Sequence, residues 1–155
     1  MKLHRAIGKF LKIGTLLGTL GFLFAVLLQI FARFFLESAP SWTEEASRLF
    51  FIYAIAFASG LALRSNYFVA LDTFYNKFNP KFKRFLNVLI PICTFLLFMV
   101  ILLFAIPLIL LGIDEKSPSM EFPMAIAFCS IAIMALANCY YSFKNITSVL
   151  KNRIG

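Results

Sequence analysis

The chain has 155 residues, of which 61% are hydrophobic, 17% are aromatic and only 14% are charged. Soluble domains are usually about half apolar and a quarter charged, so this composition offers too little polar surface for a water-soluble enzyme. The formal net charge is +8, but the basic residues lie between long apolar runs. They therefore indicate membrane orientation rather than a nucleic-acid partner.

Four apolar runs are long enough to cross a bilayer, whose hydrocarbon core needs about 20 helical residues. We predict spans at approximately 13–35, 43–63, 85–112 and 121–143, in a single domain of residues 1–155. Helices are expected because a lipid-exposed backbone must satisfy its own hydrogen bonds. The first run is longer than the core of a signal peptide and lacks a clear cleavage site, which favours a retained helix. The sequence predicts an all-α membrane protein with four transmembrane helices.

The charges between the runs predict the orientation of these helices. Twelve of the 15 basic residues fall in the two tails and in the loop after the second run. They are Lys2, Arg5, Lys9, Lys12, Arg64, Lys77, Lys81, Lys83, Arg84, Lys144, Lys151 and Arg153. The opposite side holds six of the seven acidic residues. The positive-inside rule then places both termini in the cytoplasm.

The third helix is expected to begin at the cytoplasmic surface. Asn79 followed by Pro80 is typical of a helix N-cap and first helical position. Phenylalanines alternate here with a group of basic residues, an arrangement that suits the lipid headgroup layer. Those basic residues are Lys77, Lys81, Lys83 and Arg84. We interpret them as lipid or interface anchors.

The turn between the first two spans contains several polar signals. Pro40 and Ser41 interrupt the apolar pattern and predict a short turn outside the cytoplasm. Ser41 followed three residues later by Glu44 is the pattern of a capping box at the start of the second helix. Trp42, the only tryptophan, falls where an amphipathic ring prefers the membrane interface.

A cluster of four charged residues is predicted beside this turn. Glu44 and Glu45 are four and three residues before Arg48, so both can meet it on a helix surface. A tight hairpin centred near residue 40 would bring Arg33 level with them. Charges at this depth usually face protein or water rather than lipid. The cluster is either a clasp that fixes the helix order or a surface that also contacts a partner subunit.

Arg64 and Asp72 follow the second helix on the cytoplasmic side. A cation at a helix C-terminus interacts favourably with the helix dipole, which accounts for Arg64. Asp72 is the one acidic residue of a basic loop and is expected to pair with Arg64 or a nearby lysine. Structural roles are favoured for both residues.

Residues that could support catalysis are scarce. His4 is the only histidine, which leaves no pair for haem ligation and no triad. Cys93, Cys129 and Cys139 lack metal-binding spacing, and no phosphate-binding or metalloprotease motif occurs. The middles of the first, third and fourth runs contain no ionisable side chain, which a proton-coupled carrier usually needs. We therefore expect neither an enzyme nor a cofactor in this chain.

Several short motifs resemble those of a known family. They are Arg33, the Ser41–Arg48 run S-W-T-E-E-A-S-R, the Leu61–Arg64 run L-A-L-R with Asp72 eight residues later, and Ser117-Pro118 followed by Phe122-Pro123. Together they resemble the small four-helix membrane subunit of tripartite ATP-independent periplasmic (TRAP) transporters. Phe68 stands near a frequent loop histidine of that family, and Ile131-Ala132 where a proline is common.

The resemblance implies partners rather than a reaction. In that family a periplasmic binding protein captures an organic acid, such as a dicarboxylate or sialic acid, and a large membrane subunit moves it with sodium. The small subunit supports the large one and contributes to docking, within the bacterial inner membrane and its lipids. Sodium would then bind the large subunit rather than this chain. Arg33, Trp42, Glu44, Glu45 and Arg48 would lie on the periplasmic side.

Two other functions are alternatives to the one that this resemblance implies. An independent four-helix multidrug-type carrier needs a membrane-embedded glutamate in its first helix, and Ile13–Ala32 contains none. A membrane enzyme or quinone-linked anchor would need haem histidines or redox cysteines facing the periplasm. Neither pattern is present in the sequence.

Overall fold

The computed structural model describes residues 2–35, 40–64 and 79–154. It contains four helices: α1 (Lys2–Phe35), α2 (Trp42–Arg64), α3 (Pro80–Leu111) and α4 (Ala125–Ile154). Each helix is long and apolar enough to cross a membrane, and the described residues form no strand. Within the described residues, the prediction of an all-α protein with four helices apolar enough to span a membrane is confirmed.

The helices extend beyond the predicted spans at both termini. α1 begins at Lys2 and α4 continues to Ile154, well into the basic tails. Apolar runs mark only the part of a helix that lies in hydrocarbon, and no proline interrupts either extension. α4 starts at Ala125 rather than near residue 121, because residues 112–124 form a compact turn.

The start of α3 agrees with the prediction from Asn79 and Pro80. Asn79 is the N-cap and Pro80 is the first helical residue, although the Asn79 side chain makes no capping hydrogen bond. The backbone N–H of Lys83 donates to the Asn79 carbonyl at 3.0 Å. Pro91 and Pro107 both lie inside this helix.

The helices pack side by side in the order α1, α2, α4, α3. α2 and α4 occupy the middle of this row, and two side-chain hydrogen bonds join them. The Tyr53 hydroxyl donates to the Ile126 carbonyl at 2.6 Å, and the Asn138 amide donates to the Ser59 hydroxyl at 2.9 Å. Polar contacts of this kind hold membrane helices together where lipid gives no hydrophobic driving force.

Small residues let the helix backbones approach closely. A Cβ atom at Gly18 of α1 would stand 3.0 Å from the backbone of Ala54 in α2. A Cβ atom at Gly60 of α2 would stand 2.7 Å from the Ala137 methyl group of α4. Such close approach provides the van der Waals contact on which helix packing in membranes depends.

α1 and α3 lie at the two ends of the row, and both expose large apolar side chains. Of residues 85–111 in α3, only Ala105 is buried within the chain. Phe104 of α3 is 71% exposed, and Phe34 of α1 is 80% exposed. These outer faces must contact either lipid or another membrane protein.

Candidate functional site

The first turn of α2 is held by a threonine rather than by the predicted capping box. The backbone N–H of Thr43 donates to the Pro40 carbonyl at 3.1 Å, and the Thr43 hydroxyl donates to the same oxygen at 2.7 Å. Ser41 and Glu44 do not make the reciprocal hydrogen bonds of a capping box. That prediction was wrong, because Glu44 turns towards Arg48 instead.

Glu44 and Arg48 form the predicted ion pair across one helical turn. The Arg48 guanidinium donates to the Glu44 carboxylate at 3.0 Å, with both side chains mostly exposed. An exposed pair of this spacing contributes only about 0.3–0.5 kcal/mol. Its main effect is to hold the two charges in a fixed place at the start of α2.

Glu45 forms no ion pair with Arg48 and instead binds the turn between α3 and α4. Its carboxylate accepts hydrogen bonds from the Ser117 hydroxyl and from the backbone N–H groups of Ser119 and Met120, the latter two at 2.9 Å. Ser117 is 4% exposed. A charge-assisted set of three hydrogen bonds is stronger than an exposed ion pair. Glu45 therefore fastens the α3–α4 turn to the start of α2.

The α3–α4 turn that Glu45 binds is itself closely hydrogen-bonded. The backbone N–H of Ser117 donates to the Phe122 carbonyl at 2.9 Å, and that of Met124 donates to the Glu115 carbonyl at 2.9 Å. Glu121 has φ 54, a left-handed backbone that non-glycine residues adopt uncommonly. The turn thus has a defined shape, with Met120 40% exposed at its tip.

Arg33 does not take part in this arrangement. It lies in the last turn of α1, is exposed, and forms no ion pair with the residues that the structure describes. The described residues therefore show no clasp from Arg33 to the start of α2, and the contact that they do show runs from Glu45 of α2 to the α3–α4 turn. Trp42 stands at the first position of α2 and is 43% exposed.

The end of the molecule that carries Glu45 and the α3–α4 turn is predominantly acidic. All acidic residues in the described part of the chain lie here, and they outnumber the basic ones. The acidic residues are Glu44, Glu45, Asp114, Glu115 and Glu121, and the basic ones are Arg33, Arg48 and Lys116. No three of the described His, Cys, Asp or Glu side chains are placed to hold a metal ion. The surface is suited to contact with another protein.

The residues predicted on the opposite, basic side are only partly described. Arg64 is the last residue of α2, while Asp72 and Lys77 lie outside the described residues. Lys81, Lys83 and Arg84 fall in the first turns of α3. Their role as lipid anchors stays a prediction.

Sequence reasoning missed the groups that donate hydrogen bonds to Glu45. These are the Ser117 hydroxyl and the backbone N–H groups of Ser119 and Met120. The available signal was the polar S-P-S-M run at Ser117–Met120, which the orientation rule places on the same side as Glu45. Helical spacing relates Glu45 only to residues three or four positions away, whereas Ser117 lies 72 residues further along the chain.

A comparison with protein-family models decides the family. Residues 22–152 match the family described as "Tripartite ATP-independent periplasmic transporters, DctQ component". The chain belongs to this family. The match covers all four helices except the first part of α1 and the last residues of α4. A search of curated proteins found no match. DctQ is a family of transporter components rather than of enzymes. Together with the four helices that are able to span a membrane, this membership indicates a multi-pass membrane protein.

Proposed function

We propose that this chain is the small transmembrane subunit of a sodium-coupled TRAP transporter that imports an organic acid across the bacterial inner membrane. It braces the large membrane subunit and helps to dock the periplasmic binding protein. The observation that carries this proposal is the match to the DctQ component over residues 22–152. The substrate is a carboxylate such as a dicarboxylate or a sialic acid, and sodium binds the large subunit.

The packing of the helices supports a bracing role. α3 contacts α4 but is otherwise almost bare, and the outer face of α1 is equally apolar. A helix row of this kind offers two broad lateral faces to a larger membrane protein. The uncharged run of α1 contains no glutamate, so the alternative of an independent multidrug-type carrier has no residue for its chemistry.

The end that carries Glu45 supports a docking role. Both termini are assigned to the cytoplasm by the positive-inside rule, so Glu45 and the α3–α4 turn that it binds face the periplasm. The exposed Trp42 and Met120 offer apolar contacts, and the acidic residues around them would attract a basic surface of the binding protein.

The experiment is a mild-detergent pull-down of the tagged chain from its native membranes, with mass spectrometry of the bound proteins. The expected result is a large polytopic permease in equal amount. Proteoliposomes with the complete complex should then take up a carboxylate in response to a sodium gradient and binding protein. Recovery of the chain alone, or only as its own dimer, would overturn the proposal in favour of the independent carrier.

A further inference from the structure

Three helices meet at the basic end of the molecule. The start of α1, the end of α2 and the α4 segment around Tyr141 pack together there, with Leu11, Ala137 and Tyr141 as the buried core. No acidic residue of the described part lies at this end. In the whole chain, Asp72 is the single acid on this side, against twelve basic residues. Most of these cations must find an anion outside the chain.

The Arg64 side chain packs against Gly8 where these three helices meet. Gly8 of α1 has no side chain, and the Arg64 guanidinium of α2 occupies the space that a Cβ atom would fill. The Tyr141 hydroxyl oxygen of α4 lies 3.6 Å from the same point. That oxygen is buried and lies next to the Arg64 guanidinium, since both groups are close to the same point. The guanidinium is thus held at a fixed place while Arg64 stays exposed.

A second cation lies on the same side of the junction. Lys144 is exposed and comes three residues after Tyr141, so the two are neighbours on the surface of α4. His4 of α1 packs edge-on against Tyr141, with ring centroids 5.6 Å apart. Arg64, whose guanidinium lies near the Tyr141 hydroxyl, and the exposed Lys144 therefore both stand beside this aromatic core, and the repulsion between two nearby cations favours binding of an anion.

We propose that Arg64 and Lys144 bind the phosphate group of an anionic phospholipid, with Gly8 and Tyr141 positioning the Arg64 guanidinium. Arg64 follows the apolar run of α2, and Lys144 follows the uncharged run of α4, so both stand at the depth of the headgroups. The planar guanidinium fork matches two phosphate oxygens, and an ammonium group adds a compact charge. The site does not depend on the transport function or on which membrane face it occupies.

The test uses the full chain in micelles of a neutral detergent, titrated with short-chain phosphatidylglycerol and followed by native mass spectrometry. Arg64→Gln and Lys144→Gln should each weaken binding of the first lipid by about tenfold, the effect of one hydrogen bond to a charged group. Lys9→Gln removes the same charge and is the control. Lys9 is exposed and points about 100° around α1 from Gly8, so its loss should leave the affinity unchanged.

Gly8→Ala distinguishes the position of the Arg64 guanidinium from the presence of its charge. The variant keeps every basic residue but places a methyl group where the Arg64 guanidinium lies. Alanine favours a helix more than glycine does, and the end of an arginine side chain can move, so the fold should persist. Lipid affinity should nevertheless fall several-fold, while the melting temperature in lipid-free micelles stays the same or rises.

Three outcomes would overturn the proposal. Equal weakening by Lys9→Gln and Arg64→Gln would show attraction by the total charge rather than by a site. Displacement of the lipid by millimolar inorganic phosphate would assign the site to a free anion. Equal affinity for phosphatidylcholine would show that the negative charge of the lipid is not recognised.

Discussion

The carboxylate of Glu45, in the first turn of α2, accepts a hydrogen bond from the hydroxyl of Ser117, 72 residues further along the chain. Ser119 and Met120 donate their backbone N–H groups to the same carboxylate at 2.9 Å each. The contact joins the start of α2 to the turn that precedes α4. Since α2 and α4 also pack along their length, Glu45 fixes this helix pair at the end where both helices begin.

Glu45→Gln should loosen the α3–α4 turn. A glutamine offers one acceptor oxygen and an NH₂ group that cannot accept a hydrogen bond, so it cannot serve all three donors. Loss of one such hydrogen bond corresponds to about a tenfold faster amide exchange by local opening. Hydrogen exchange at Ser119 and Met120 measures this directly. Glu44→Gln is the matched control, because Glu44 bonds Arg48 and not the turn; equal exchange in both variants would contradict the fastening role.

Arg33→Ala should leave the amount of protein in the membrane unchanged. Arg33 is exposed and forms no ion pair within the described residues, and surface substitutions of this kind usually change stability by less than about 0.5 kcal/mol. If Arg33 pairs with a carboxylate of the binding protein beside the basic surface that the acidic residues attract, the rate of uptake should fall, and the deficit should shrink as salt is added. Immunoblots and uptake assays at two ionic strengths test this. Reduced abundance would instead support a structural role for Arg33 in the predicted clasp.

The contrast between Glu44 and Glu45 shows what could be predicted from the sequence. The Glu44–Arg48 pair follows from helical spacing, the four spans from the length of the apolar runs, and the start of α3 from Asn79 followed by Pro80. The Glu45 contact depends on how α2 packs against α4 and on the shape of a turn with Glu121 in a left-handed conformation. Local patterns do not contain that information. The contact between the Arg64 guanidinium and Gly8 depends on tertiary packing in the same way.

Gly18→Leu should separate α1 from α2. A Cβ atom at this position meets the backbone and methyl group of Ala54 at 3.0 Å, and a backbone cannot move aside as a flexible side chain can. Overpacking of this kind costs about 1–3 kcal/mol, which a titration of micelle-solubilised protein with sodium dodecyl sulfate would reveal. Leu17→Phe is the control, because Leu17 is 64% exposed and added bulk there meets no helix. Equal stability of the two variants would argue against close packing.

Asn138 and Ser59 should show a measurable coupling free energy. The Asn138 amide is 0% exposed and donates to the Ser59 hydroxyl at 2.9 Å, across the α2–α4 interface. Hydrogen bonds between membrane helices average about 0.6 kcal/mol in double-mutant cycles, so Asn138→Ala and Ser59→Ala should be non-additive by about that amount. Ser130→Ala is the control, because its hydroxyl donates to Ala127 in its own helix. Strict additivity of Asn138→Ala with Ser59→Ala would show that the bond does not hold the interface.

Cysteine labelling should place the two ends of the molecule on opposite sides of the membrane. Ser119 lies in the α3–α4 turn and Ser148 near the end of α4, and both are exposed. The positive-inside rule puts the basic end in the cytoplasm, so a membrane-impermeant maleimide should label Ser119→Cys in intact spheroplasts and Ser148→Cys only after lysis. The parent chain controls for Cys93, Cys129 and Cys139, which lie within α3 and α4. The reverse labelling pattern would invert the topology and move the Glu45 cluster away from any periplasmic partner, since Glu45 and Ser119 are held together by a 2.9 Å hydrogen bond.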